Sequence, residues 1–566
     1  MDLVIRGGTV ADGRGGPLVE ADVAVHGGRI LEVGTVRTRA AEEIDARGLL
    51  VTPGFVDIHT HYDAQAVWDS RFAPSSWHGV TTAVMGNCGV GFAPVRPADR
   101  ARLVELMEGV EDIPGVALNE GLDWAWESFA DYLAALQRRP HDIDFCAQLP
   151  HAALRVYVMG ERAARLEMAT AQDITQMRRL TCEAMRVGAV GVTTSRSINH
   201  RTSRGDPTPS LRAAEAELMG LAMGAKDAGQ GVIQLICDFD GDVDSEFAIM
   251  RRLVEASGRP LSFSLMQKHK NPTGWRRLLQ LTGEAVEAGL PMRAQVAPRG
   301  VGVLLGLQGS RNVFSECPSY QAIEHLPFAA RIAAMREPDL KARLLVELGA
   351  TSHSRLGERL TEFSNMFPFG DPPDYDPGFE NSVAAIATRQ GRAPVEVAYN
   401  LLLAEDGHGI LYSPFANYAA GNLGVCAEMI ADPNTVIGLG DGGAHVALIS
   451  DASFSTFLLT HWGRQEKKFD LGWLVRKQSA DTARAVGLLD RGIVAPGMKA
   501  DLNVIDLTRL GIDAPQMVFD LPAGGRRLLQ RARGYVATIV SGVVVYREGE
   551  ATGALPGRLV RGAQAP

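Results

Sequence analysis

Paired cysteines are missing from this sequence. The six present, at 88, 146, 182, 237, 317 and 426, are scattered without short paired spacings, which speaks against a disulfide framework and for a reducing, cytoplasmic setting. A basic excess is missing as well: 57 Lys and Arg stand against 66 Asp and Glu, for a formal net charge of -9 and a pI near 5.9. That balance leaves no electrostatic footprint for nucleic acid or an anionic membrane. No window approaches the roughly 18 consecutive apolar residues of a membrane helix. The opening Met1-Asp-Leu-Val-Ile-Arg6 lacks the basic, apolar and small-residue succession of a secretory signal. There is no internal repeat and no low-complexity tract. The expected partners are therefore a small-molecule substrate and further copies of the chain, with neither nucleic acid nor membrane.

What is present is enough material for a core, with 46% hydrophobic and 22% charged residues over 566 positions. That length exceeds one compact domain, and one large domain plus one small one is the simplest reading. The chain is organised around Val51-Thr-Pro-Gly-Phe-Val-Asp-Ile-His-Thr-His-Tyr-Asp63. Leu49 to Ile58 is apolar and β-branched, with Pro53 and Gly54 as punctuation, and reads as a buried strand entered by a turn. Side chains of an extended segment repeat every second residue, so His59 and His61 point the same way and can grip one metal ion.

Between residues 53 and 487 apolar strands alternate with helical stretches, the signature of βα units and a parallel sheet. The expected strands after the first lie near 80–85, 145–149, 191–194, 231–237, 260–266 and 292–296, with the last at 436–441. An insertion around 298–417 is longer than one βα unit needs and is expected to be a lid, a wall or a surface addition. The first fifty residues read as short strands separated by glycine turns, and Ala500–Asp506, Val536–Val540 and Gly542–Tyr546 supply matching strands at the other end. The two ends, 1–52 and 488–566, are expected to form one small β-sandwich domain beside the 53–487 domain.

The Pro53-Gly-Phe-Val-Asp-Ile-His-Thr-His61 strand, Gly79-Val-Thr-Thr82, Gly86-Asn-Cys-Gly-Val-Gly-Phe-Ala-Pro94 and the Gly487–Asp506 return resemble the amidohydrolase superfamily, in the branch of the N-acyl-D-amino-acid deacylases (D-aminoacylases). The resemblance covers both ends of the chain. It implies a (β/α)8 TIM-like barrel with active-site groups at the C-terminal ends of the strands. It also implies a zinc or other divalent metal site, in which the Cys of the Gly-Asn-Cys-Gly turn binds metal where many relatives use a carboxylated Lys. Cys88 is thus an expected ligand beside His59 and His61. Asp441, ending the last apolar run, is expected both to bind metal and to act as the acid/base, taking a proton from the attacking water and returning it to the leaving amine.

The sequence also departs from that pattern. The branch has further His ligands after the fifth and sixth strands, whereas here Gln234-Leu-Ile-Cys-Asp238 and Ser264-Leu-Met-Gln-Lys-His-Lys270 stand in those places. Asp238, Lys268 or His269 could substitute; otherwise one ion rather than two is expected, held by His59, His61, Cys88 and Asp441. The loop Ser195–Arg204 offers Arg196, His200, Arg201 and Arg204 to an anionic substrate group. His151 and His445 lie near expected strand ends and could contact substrate. The expected function is metal-dependent hydrolysis of a C–N bond in an N-acyl amino acid or related amide. Alternatives are other chemistry on the same scaffold, such as cyclic amide opening, decarboxylation or C–C cleavage, and a non-catalytic barrel scaffold.

Overall fold

The computed structural model describes residues 1–350 and 360–566. Strands Leu3–Val10, Val19–His26 and Arg29–Gly34 pair antiparallel in succession. Leu50–Pro53 lies parallel to the first of them and antiparallel to Leu502–Ile505, which leads on to Tyr535–Val540 and Val543–Arg547. Both ends of the chain therefore build one nine-stranded sheet. Its buried side alternates in register, with Leu3, Ile5, Val23 and Val25 packed against Leu502, Val504, Ala537 and Ile539, as a half-buried sheet requires.

The chain leaves this sheet at Pro53-Gly54. A Cβ on Gly54 would lie 2.1 Å from Thr81 Oγ1, so only glycine lets the two backbones approach. Nine strand segments follow, all paired parallel. Phe55–Asp57, Val80–Met85 and Asp144–Ala147 form one sheet. Leu149–Pro150, Gly191–Arg196, Val232–Cys237, Leu261–Ser264, Met292–Val296 and Thr435–Ile437 form another, of six strands. The expected third strand is thus split at Gln148. Beyond the last strand, Asp441 N donates to His59 O and His61 N to Gly442 O, which joins the segment after Thr435–Ile437 to the one after Phe55–Asp57.

Helices cover the outside of the parallel strands. Ala171–Val187 starts at a Thr170 capping box closed by Asp173 and buries Met177, Thr181, Ala184 and Met185 along one face, the i, i+4, i+7 spacing of an amphipathic helix. At the N-terminal end of its strand, buried Asp144 accepts from Arg491 and pairs with Lys499 at 3.1 Å, tying the return segment to the parallel sheet.

The insertion has structure that the sequence reading left unassigned. Val301–Gly306, Phe367–Phe369 and Ile410–Ala416 make a separate antiparallel sheet. A second apolar core, including Leu305, Phe314, Tyr399 and Leu402, packs beneath it. The part of the expected insertion at 351–359 lies outside the described residues. Among the described residues no helix is long and apolar enough to cross a membrane.

Candidate functional site

His59 and His61 follow strand Phe55–Asp57 in a segment that bends at His59 and is pinned by Thr60, whose N–H and hydroxyl both donate to Val84 O. Alternation then sends both imidazoles inward, where they are almost fully buried with ring centroids 5.6 Å apart. His59 Nδ1 donates to Gln295 Oε1 at 2.6 Å, which leaves Nε2 facing Cys88 Sγ at 3.2 Å and Asp441 Oδ1 at 3.4 Å. His61 Nε2 lies 3.7 Å from the same Asp441 oxygen, and its Nδ1 lies 3.3 Å from Glu111 Oε1.

Cys88 reaches this point through a left-handed turn: Gly86, Cys88 and Gly89 have φ of 82, 54 and 72°. Glycine is required at 86, where a Cβ would stand 2.5 Å from Gln148 O. The turn is held by Cys88 N donating to Gln234 Oε1 and Gly89 N to Thr193 Oγ1. Asn87 Nδ2 also donates to Thr60 O and Val84 O. One ligand atom from each of His59, His61 and Cys88 falls in a group spanning no more than 4.8 Å. Asp441, itself at φ 46°, turns Oδ1 to both imidazoles, and that buried oxygen accepts no hydrogen bond among the described residues.

Burial sets the protonation of these groups. It pushes His59 down to about 4 and His61 well below the ordinary imidazole value, aided by the positive forms of His59, His445 and His200, so both rings are neutral with lone pairs to offer. It raises the Cys88 thiol, with Glu111 and Asp441 adding to the rise, and lifts Asp441 to about 7. Two neutral imidazoles, a thiol and carboxylates are gathered in a buried site with donor atoms turned to one another. The mixed nitrogen, sulfur and oxygen set suits zinc or a similar divalent ion.

Of the expected substrate residues, the structure brings two to this cluster. His200 is held by Ser195 Oγ at 2.8 Å and pushed down to about 4 by burial and by His59. His445 has its Nε2 3.6 Å from Glu111 Oε2 and is likewise pushed down to about 4. The structure engages the others elsewhere. Along Gly191–Arg196, Thr193 and Ser195 face the cluster, and Thr194 and Arg196 face the helices. Arg196 accordingly forms a two-pronged pair with Glu246 of helix Val243–Ser257 and donates to Ala213 O. His151 is fully buried between Thr194 Oγ1 and Glu217 Oε1. Arg201 donates to Ile198 O and Gly205 O within its own loop, and Arg204 pairs with Glu105.

The candidate replacement ligands are similarly engaged. Asp238 accepts from Ser197 Oγ and Ile198 N, fixing the 195–199 loop. Lys268 donates to Asp238 O and Asp240, and His269 contacts Asn365 Nδ2 at 3.5 Å. The sequence reading missed Gln295, Gln234 and Glu111. Glu111 had a signal, since it falls four residues after Met107 and seven after Val104 on the buried stripe of helix Arg100–Glu111, where a carboxylate is out of place.

A sequence model described as the amidohydrolase family matches residues 42–546. The D-aminoacylase of Alcaligenes xylosoxydans xylosoxydans is 26% identical over 573 residues, covering 99% of this chain and 97% of that relative. Among solved structures, a D-aminoacylase superposes with a TM-score of 0.65 at 24% identity over 99% of each chain. The N-acyl-D-glutamate deacylase of Bordetella bronchiseptica, complexed with zinc and a phosphonate inhibitor, gives 0.66 at 23% identity, again over 99% of each. These two likenesses fit a mixed α/β chain built on the amidohydrolase TIM-barrel fold.

Proposed function

This chain belongs to the amidohydrolase family, and from that premise we propose that it is a metal-dependent hydrolase cleaving the C–N bond of an N-acyl amino acid or a related amide. The observation that carries the reading is the meeting of His59, His61, Cys88 and Asp441 from distant parts of the chain, with Asp441 Oδ1 within 3.7 Å of both imidazoles. These four residues would hold one divalent ion, zinc being the best match to the donors. When bound, such an ion supplies Lewis acidity that polarises the amide carbonyl and acidifies water.

The remaining work falls to the protein's own groups. Asp441, buried beside both imidazoles, takes the proton of the attacking water and passes it to the departing nitrogen. His200 and His445 face the amide from two loops, and burial keeps both neutral, able to donate or accept a hydrogen bond. The finer architecture that goes with this reading is a closed (β/α)8 barrel over 53–487 flanked by a β-sandwich from 1–52 and 488–566. The kinship with a D-aminoacylase supports N-acyl-D-amino acids as the first class to test.

A second reading is favoured by Arg196 and Arg201, whose guanidinium groups are engaged away from the cluster. A substrate without a free carboxylate, such as a cyclic amide, would not need them. The test is amine release from a panel of N-acyl-D- and N-acyl-L-amino acids, with cyclic amides run beside them. Release from at least one acylated amino acid is expected. Ring opening without any deacylation would move the assignment to the cyclic amides, and no turnover by any member would overturn both.

A further inference from the structure

Helix Arg100–Glu111 ends on a carboxylate that the chemistry above does not use. Glu111 is 1% exposed, and the helix stops directly after it because Asp112 turns left-handed at φ 53°. Its Oε1 lies 3.3 Å from His61 Nδ1 and its Oε2 lies 3.6 Å from His445 Nε2. Among the described residues these imidazoles are its only ion-pair partners, and Oε2 has no aligned hydrogen bond. A buried carboxylate so placed is costly, and the two rings that face it both belong to the site.

An imidazole that gives its Nε2 lone pair to a metal carries its proton on Nδ1, and a fixed acceptor behind Nδ1 sets both tautomer and ring orientation. His59 has such an acceptor in Gln295 Oε1. For His61 the group behind Nδ1 is Glu111, in ion-pair contact at 3.3 Å without an aligned hydrogen bond, and Nε2 on the opposite side of the ring faces Asp441. His445 needs holding for a different reason. It sits at φ 46° in a loop where Leu439 and Asp441 are also left-handed, at 61 and 46°. Each such residue costs roughly 1–2 kcal/mol and persists only where its surroundings fix it.

We propose that Glu111 is a positioning residue of the centre: one oxygen holds the His61 tautomer that presents Nε2 to the ion, and the other anchors His445 at the rim. A single carboxylate thereby couples metal affinity to substrate contact. This inference rests on the metal-dependent reading above.

The test is zinc affinity, measured by competition with a chromophoric chelator, together with the absorption spectrum of the cobalt-loaded protein, in wild type, E111Q and E111D. E111Q is expected to weaken zinc binding about 10- to 100-fold, the usual effect of losing such a partner, to change the cobalt spectrum, and to raise KM through His445. E111D keeps the charge at a shorter reach and should fall between E111Q and wild type. If E111Q does not fold, E111D alone decides, and wild-type zinc affinity in E111D overturns the inference. Wild-type affinity and an unchanged cobalt spectrum in E111Q overturn it equally. Wild type that binds no zinc would instead remove the metal-dependent reading itself, so the two failures are distinct.

Discussion

Burial does at Asp441 what solvent would prevent. Largely but not wholly withdrawn from water, the carboxyl rises to about 7, close to the pH at which one group can both accept and return a proton. A cation beside it would draw that value down again. Replacing Asp441 with Asn keeps the shape and removes the exchangeable charge. D441N is expected to lose about 10²- to 10⁴-fold in kcat, the usual contribution of such a group, with the fold retained by circular dichroism. Activity within about threefold of wild type would assign the proton transfer to another residue. The residues of this cluster differ in how far the sequence disclosed them. His59 and His61 followed from two-residue spacing after an apolar strand, and Cys88 and Asp441 from their motif context. Gln295 and Gln234 carried no such mark, because an amide becomes meaningful only when the fold sets it against an imidazole or a backbone N–H. Arg196 and His151 both lie near a strand end and are engaged on the helix side, Arg196 by Glu246 through the alternation along Gly191–Arg196 and His151, at the start of its own helix, by Thr194 and Glu217.

At the scale of elements, the turn after Val80–Met85 carries the most consequence for its size. Cys88 is a non-glycine residue at φ 54°, set between two glycines that are also left-handed. A methyl group at 86 would meet backbone, Gln148 O, at 2.5 Å, so the turn must shift to admit it. G86A is expected to cost about 1–3 kcal/mol of stability and to lower bound metal by moving the sulfur. Full metal content in a destabilised G86A would show that the turn does not aim Cys88. The parallel strands were legible because most are short apolar runs closed by turn residues; the expected 49–58 strand is divided at Gly54 between two sheets, 145–149 is split at Gln148, and the last strand ends at Ile437 rather than 441. The insertion was not. Val301–Gly306 is apolar without alternation, and Ile410–Ala416 contains Pro414, so neither announces an antiparallel strand until its partner is beside it.

For the whole molecule, the two chain ends meet in one sheet while the reactive groups gather where the parallel strands end. The buried Asp144 pairs with Arg491 and Lys499 connect these regions. The pairing of the ends was readable from matching apolar strands; the ion network was not, since charged residues at 144, 491 and 499 look solvated until they are enclosed. On the proposed function, the folded protein holds a divalent ion at His59 and His61 and needs it for activity. The most direct measurement is metal content per chain by plasma mass spectrometry, with amide hydrolysis assayed on the same samples, for wild type, chelator-treated wild type and H59N/H61N. Wild type should carry about one equivalent, with metal and activity lost on chelation and restored by zinc, and the double variant should hold less than about a tenth. Equal metal in wild type and H59N/H61N, or full activity in metal-free protein, would contradict it.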